Sequence, residues 1–163
     1  MRHNVEELIN AVVGALQAAG LDADSALPAE TLLGLEGPRL AVGIQSASRG
    51  RVEYLGTDDE AQEAYGQSVS AAVYVDVYSP AALGGTACTE TAWAACEALM
   101  QGVEGLDVRK VSLQRCRFDG SANCFLCSAE AEVGGYLVGV SGAGDEPDAD
   151  VITGFRLRGT LNA

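Results

Sequence analysis

The strongest strand signal in the sequence is the stretch VSAAVYVDVYSP at positions 69–80. Apolar side chains occupy alternate positions, which predicts a strand with one buried face and one polar or aromatic face. The apolar set is Val69, Ala71, Val73, Val75 and Val77, and the other face carries Ser70, Tyr74, Asp76 and Tyr78. Pro80 has no backbone N–H to donate and is predicted to end the strand.

Upstream of this stretch, the sequence predicts two shorter strands. The alternation of Leu40, Val42 and Ile44 with smaller or polar residues predicts the first. Ser48-Arg49-Gly50 is typical of a turn, and the alternation restarts at Val52 and Tyr54.

Downstream, three more strands are predicted. Residues 106–118 have the pattern of one strand in which the apolar side chains change from one face to the other, so a bulge is expected within it. The turn Asp119-Gly120-Ser121 separates that strand from an alternation over 125–133, which is expected to end at Gly134-Gly135. A last alternation runs from Val151 to Leu161.

Two helices are predicted, at residues 4–19 and 86–100. Asn4 and Glu7 resemble a capping box at the start of the first helix, and Gly20 stands where its C-cap belongs. The second helix is expected to end at Gly102, to approach a sheet closely through its small residues, and to place Trp93 in the core.

These elements predict a single α+β domain over residues 1–163. Two main helices pack on a mostly antiparallel sheet of about five to six strands. The expected non-regular parts are an irregular connection at 22–38 and a flexible acidic loop at 142–150.

Composition narrows the classes of function. The formal net charge is −13, so the surface repels phosphate and a protein that binds duplex DNA is disfavoured. Apolar runs are shorter than the ~20 residues of a membrane helix, and no basic-then-apolar leader opens the chain. We therefore expect neither membrane insertion nor secretion.

The charged residues cluster along the chain. One reading is that the clusters are solvated loops; the other is that an acidic and an arginine-bearing surface meet between copies of the chain. The acidic clusters are Asp58, Asp59, Glu60 and Glu63, and Asp145, Glu146, Asp148 and Asp150. The basic clusters are Arg109, Lys110, Arg115 and Arg117, and then Arg156 and Arg158, of which Arg115, Arg117, Arg156 and Arg158 are the interface candidates.

Catalytic motifs are scarce, and no enzymatic function or cofactor is predicted. The only histidine is His3, close to a terminus, so a Ser/His/Asp or Cys/His nucleophile system is disfavoured. Cys124 and Cys127 form a Cys-x-x-Cys on a predicted strand, where residues three apart point to opposite faces. This favours buried free thiols over a metal site, and a metal site over a redox motif.

The order of elements, with several short motifs, resembles the tail-terminator and neck (head–tail joining) proteins of long-tailed bacteriophages and prophages. The motifs are YVDVYSP at 74–80, the joint Leu83-Gly84-Gly85 before the helix with Trp93, the turn Phe118-Asp119-Gly120, and GFRLRGTL at 154–161. The resemblance implies a structural protein that forms a ring, commonly of six copies. Such a ring caps the tail tube, stops its polymerisation and contacts the head connector.

Several expectations follow from this resemblance. The protein would be assembled in the cytoplasm of the bacterial host and reside in the virion tail or neck, where DNA passes without specific binding. Acidic residues of 57–63 or 142–150 would line a channel or contact arginines of a neighbouring copy. The alternatives are another neck, head-completion or tail-tube subunit, or a small module that binds a ligand or metal through Cys116, Cys124 and Cys127.

Overall fold

The computed structural model describes residues 3–25, 33–57, 63–141 and 152–158. These residues form two helices and seven strands, and a 3-10 turn at Ala81–Leu83 joins β3 to α2. In chain order the elements are α1 (His3–Ala18), β1 (Ala23–Asp24), β2 (Arg39–Thr57), β3 (Glu63–Pro80), α2 (Gly84–Gln101), β4 (Asp107–Leu113), β5 (Arg117–Asp119), β6 (Cys124–Ser141) and β7 (Ile152–Arg158). The predicted α+β class, with two helices and a mostly antiparallel sheet, is confirmed.

All of the strands belong to one sheet with the order β1-β2-β3-β6-β4. Only β1, two residues long, pairs in parallel with its neighbour β2. Strand β6 is central: one edge pairs with β3 from Gly66↔Val138 to Pro80↔Cys124. Its other edge pairs in succession with β5, β4 and β7.

The core lies between the two helices and one face of the sheet. Val69, Ala71, Val73, Val75 and Val77 of β3 are all buried, as their alternation predicts. Helix α1 contributes Leu8, Val12 and Leu16, and α2 contributes mainly small side chains together with Leu99. Cys88, Ala92 and Ala95 are fully buried, so α2 packs closely on the sheet.

The predicted turn at Ser48-Arg49-Gly50 is wrong, because β2 runs without a break from Arg39 to Thr57. Its pairing with β3 shifts register at three places, between Ile44 and Ser46, Arg49 and Val52, and Tyr54 and Gly56. Bulges of this kind absorb residues that resemble a turn while the strand continues along its partner.

Two strand boundaries downstream also differ from the prediction. Residues 106–118 are two strands, β4 and β5, separated at 114–116, where the Gln114 N–H donates to the Ser128 carbonyl at 2.8 Å. The predicted end at Gly134-Gly135 is wrong as well, since β6 continues to Ser141. Both glycines pair with β3, and the Arg109 guanidinium occupies the space above Gly134.

Trp93 is not a core residue. Its side chain is 58% exposed and its indole N–H donates to Glu97 Oε1 at 3.0 Å, while Met100, also on α2, is 61% exposed. The small side chains of α2 face the sheet, and the space there does not accommodate an indole. Tyr74 and Tyr78 are partly buried sheet-surface residues, as expected.

The helix boundaries lie within two residues of the prediction. Of the connection expected to be irregular at 22–38, residues 26–32 lie outside the described part of the chain. Its start forms β1, and Asp22 forms an ion pair with Arg39 of β2 at 3.0 Å. The acidic loop predicted at 142–150 lies outside the described residues. Among the described segments, neither helix combines the length and apolar character needed to cross a membrane.

Candidate assembly surfaces

The end of the β2–β3 hairpin lies outside the ladder that joins β3 to β6. Strand β6 pairs with β3 only as far as Gly66, so Glu63, Ala64 and Tyr65 pair with β2 alone. We call residues 52–57 and 63–65 the hairpin tip. From Gln45 to Tyr54 every residue of β2 is exposed. This part of β2 has no core beneath it in the described structure.

The hairpin tip carries aromatic and apolar side chains in solvent. Val52, Tyr54 and Tyr65 are 54%, 55% and 43% exposed. The two tyrosine rings form a T-shaped pair with centroids 5.4 Å apart. A two-stranded hairpin is marginally stable in water, and exposed apolar side chains grouped together are typical of interaction surfaces.

Glu63 is the one predicted acidic site residue that the structure places at the hairpin tip. Its Oε2 accepts a hydrogen bond from the Tyr65 hydroxyl at 3.0 Å. That hydrogen bond, and next the negative charge of the same carboxylate, raise the pKa of Tyr65. Asp58, Asp59 and Glu60 lie outside the described residues, as do Asp145, Glu146, Asp148 and Asp150.

The opposite end of the sheet carries Arg115 and Arg117, which we call the arginine end. Both residues are exposed, and Arg117 pairs through its backbone with Leu126 near the start of β6. Within the described residues neither guanidinium forms an ion pair. The arginine end therefore presents two cationic groups to solvent.

The other two predicted arginines do not lie beside this pair. The backbone of Arg156 pairs with Val138 and that of Arg158 with Tyr136, at the hairpin end of the sheet. Leu126 and Val138, the partners of Arg117 and Arg156, are separated by roughly 40 Å along β6 at a rise of about 3.4 Å per residue. The predicted basic group is thus divided between the two ends of the sheet.

We call the sheet face opposite the helices the open face; the sequence predicted its polar residues on β3 but did not identify the face as a candidate site. Its charges are mixed: Asp76, Asp119, Glu130 and Glu132 are acidic, and Arg39, Lys110 and Arg117 are basic. Lys110 Nζ lies 4.0 Å from Glu132 Oε1, Gln114 Nε2 donates to Glu130 at 2.8 Å, and Ser128 Oγ hydrogen-bonds to Asp76 Oδ1. The polar alternate positions of β3 and β6 were the signal in the sequence.

The cysteines are free thiols, four of them buried and Cys116 partly exposed. Cys88 donates to the Val77 carbonyl at 3.5 Å, Cys116 to the Gly85 carbonyl at 3.7 Å, and Cys127 to the Gln114 carbonyl at 3.2 Å. Burial, and next the proximity of Cys116, raise the pKa of Cys88 to about 12. Within the described part of the chain no group of three or more His, Cys, Asp or Glu side chains has the geometry to hold a metal ion.

A groove of about 690 Å³ runs along α1 and the turn that follows α2. Small residues dominate its lining, with Glu7 and Glu104 as its ionisable members. It is open to solvent, and these two carboxylates have no described basic or nucleophilic partner in the lining.

No protein-family model matches the sequence, and a search of curated proteins likewise returns no match.

Proposed function

We propose that this protein is a structural assembly subunit: a ring-forming tail terminator that caps the tail tube of a long-tailed phage or prophage and joins it to the head connector. The observation that carries the proposal is the placement of two dissimilar surfaces at opposite ends of one sheet. The hairpin tip is aromatic and carries Glu63, and the arginine end carries two cations without an ion-pair partner in the described structure.

Two unlike surfaces on one chain favour head-to-tail contact between copies. A contact of this kind generates a ring when the rotation between subunits closes, and a filament when it does not. The opposite charges of Glu63 and the arginine end would set the register of the contact more than its strength. The resemblance to phage tail terminators implies a ring of six copies.

The bulges of β2 support a terminator over a tail-tube subunit, which is the alternative. Strand β2 pairs with β1 only at Leu40 and Ala41, so the rest of its outer edge has no strand partner in the described sheet. The pairing of β2 with β3 shifts register at three places, each with an extra residue in β2, so β2 is bulged along its length. Bulges on an edge strand disfavour continuous strand addition by further copies.

The acidic excess of the chain supports passage of DNA without specific binding, because phosphate contacts supply most non-specific affinity. The open face, with nearly balanced charge, is suited to contact with another protein rather than to repulsion of DNA. In this proposal the protein is assembled in the bacterial cytoplasm and resides in the virion neck.

Two complementary variants test the head-to-tail contact. The tip variant carries Tyr54→Ala and Glu63→Arg, and the arginine variant carries Arg115→Glu and Arg117→Glu. Light scattering after size exclusion, at high protein and low salt, should show closed oligomers of the wild type and a loss of mass in each variant. An equal mixture should regain mass to the dimer or beyond, because the intact surfaces of the two variants still match and their reversed charges are complementary.

Glu90→Arg, an exposed charge reversal on α2, is the matched control and should assemble as the wild type does. Unchanged assembly of both variants would contradict the head-to-tail contact. Long fibres in electron micrographs of the wild type would favour the tail-tube alternative, and stoichiometric zinc in protein purified without chelator would favour the metal-binding alternative.

A further inference from the structure

Two cysteines from distant parts of the chain meet beside the first turn of α2. Cys116 lies in the 114–116 segment between β4 and β5, and its thiol contacts the Gly85 carbonyl at 3.7 Å. Gly85 precedes Cys88 by three residues, so the two lie on the same side of α2. A Cβ at Gly85 would lie 3.8 Å from Cys116 Sγ, so Cys116 lies against the helical turn that carries Cys88.

The two thiols differ in access to solvent. Cys88 is fully buried, whereas Cys116 is partly exposed. Residues 115 and 116 belong to no strand, and the 114–116 segment keeps one described backbone hydrogen bond, at Gln114. Residues 115 and 116 are therefore the part of the chain that would move to bring Cys116 Sγ to the roughly 2.05 Å of a sulfur–sulfur bond with Cys88.

We propose that Cys88 and Cys116 are a dithiol that closes to a reversible disulfide, with a small-molecule disulfide of the glutathione type as the electron acceptor. The inference is independent of the assembly role, since it concerns the first turn of α2 and the segment that contacts it.

The reaction has two exchange steps. The Cys116 thiolate attacks the small disulfide, forms a mixed disulfide and releases one small thiolate, which takes up the proton that Cys116 lost. Cys88 then attacks the sulfur of Cys116 and releases the second small thiolate, which takes up the proton from Cys88. Two protein thiols are oxidised by two electrons, and one small disulfide is reduced to two thiols.

The order of the steps follows from burial. Cys116 is the partly exposed thiol and meets the small disulfide first. Burial keeps Cys88 protonated at neutral pH, so its attack is the slower step. When Cys88 is removed, no internal thiol displaces the small thiolate from Cys116, so the mixed disulfide on Cys116 should accumulate.

The other thiols are less well placed to react with Cys116. Cys127 donates to the Gln114 carbonyl at 3.2 Å and lies in the centre of the sheet on β6, whose backbone is paired on both sides. Cys96 lies eight residues beyond Cys88 on α2, about two turns away. Cys124 lies on β6 three residues from Cys127 and faces the opposite side of the strand.

Peptide mapping of the folded full-length chain after incubation with oxidised glutathione tests the proposal. Free thiols are blocked, and trypsin is combined with a glutamate-specific protease, which separates Cys88 from Cys96 by cleavage after Glu90. The expected product is a Cys88–Cys116 cross-link, with two of the five thiols lost and restored by reductant.

Three variants sharpen the result. Cys88→Ala should accumulate glutathione on Cys116 without an internal cross-link, Cys116→Ser should lose no thiol, and Cys96→Ser should behave as the wild type does. Retention of all five thiols by the wild type, or a cross-link of Cys116 to Cys127 instead, would overturn the proposal. If Cys88→Ala does not fold, the peptide map of the oxidised wild type alone shows whether the Cys88–Cys116 cross-link forms.

Discussion

Tyr54 of β2 and Tyr65 of β3 face each other across the hairpin, with ring centroids 5.4 Å apart and an angle of 60° between the rings. They are a directly opposed pair in the sheet register, and both are exposed. Cross-strand aromatic pairs stabilise a hairpin that has few other side-chain contacts. The same rings form the apolar part of the hairpin tip, so they have both a local and an intermolecular role in the proposed function.

Replacement of Tyr54 by alanine should therefore reduce assembly much more than it reduces the stability of the fold. The loss of the T-shaped pair is worth about 0.5–1.5 kcal/mol, so urea unfolding should show a modest decrease in the free energy of unfolding. Oligomer mass in light scattering should decrease much more. Tyr65→Phe keeps the ring and loses only the hydrogen bond to Glu63, so it should assemble like the wild type. A large loss of stability in Tyr54→Ala with unchanged assembly would contradict this assignment.

Two glycine-to-alanine changes should have opposite effects on stability. At Gly66, a Cβ would lie 2.5 Å from the Leu137 carbonyl oxygen, which is backbone and cannot rotate away. Gly66→Ala should cost about 1–3 kcal/mol through overpacking of β3 against β6. At Gly14, on the exposed side of α1, a Cβ meets no atom within 4 Å. Gly14→Ala should add about 0.5–1 kcal/mol by raising helix propensity, and thermal and urea unfolding would measure both changes.

The turn between β5 and β6 should lower the pKa of Asp119. Its Oδ1 accepts hydrogen bonds from the Ser121 hydroxyl at 2.6 Å, the Ser121 N–H at 2.9 Å and the Ala122 N–H at 3.3 Å. These bonds, with the Ser121 hydroxyl first, hold the pKa of Asp119 below its usual range. Because the folded pKa is lower than the unfolded one, the contribution to stability is complete above the usual pKa and is lost as the pH falls through the folded pKa.

Ser121→Ala should raise the pKa of Asp119 toward its usual range, as followed by an NMR titration of the carboxyl carbon. Ser112→Ala, on β4 of the open face, is the control and should leave that titration unchanged. If the pKa of Asp119 in the wild type equals that in Ser121→Ala, the hydroxyl has no role in it.

Features set by local pattern could be predicted from the sequence. The valines at 69–77 define both the strand and its buried face, because a strand side chain changes face at every residue. The ends of both helices follow from glycines that take positive φ values, Gly20 at 82° and Gly102 at 125°.

Features set by pairing between distant residues could not be predicted. The turn-like Ser48-Arg49-Gly50 stays in β2 because β3 continues beside it, and no local pattern reports the length of that partner. The sequence groups Arg156 with Arg117 because both are basic and late in the chain. The register of β6 places their backbones at opposite ends of the sheet. The exposure of Trp93 likewise depends on the distance between α2 and the sheet.

The central position of β6 has a consequence for synthesis of the chain. Its pairs with β3 join Pro80 to Cys124 and Gly66 to Val138, so every bond of this ladder closes a long loop. During translation the edge of β3 that pairs with β6 has no partner until residues 124–141 leave the ribosome. Contacts between residues so far apart in sequence are also slow to form. We expect the nascent chain to be most prone to aggregation in that interval, and to benefit from a chaperone that shields the β3 edge.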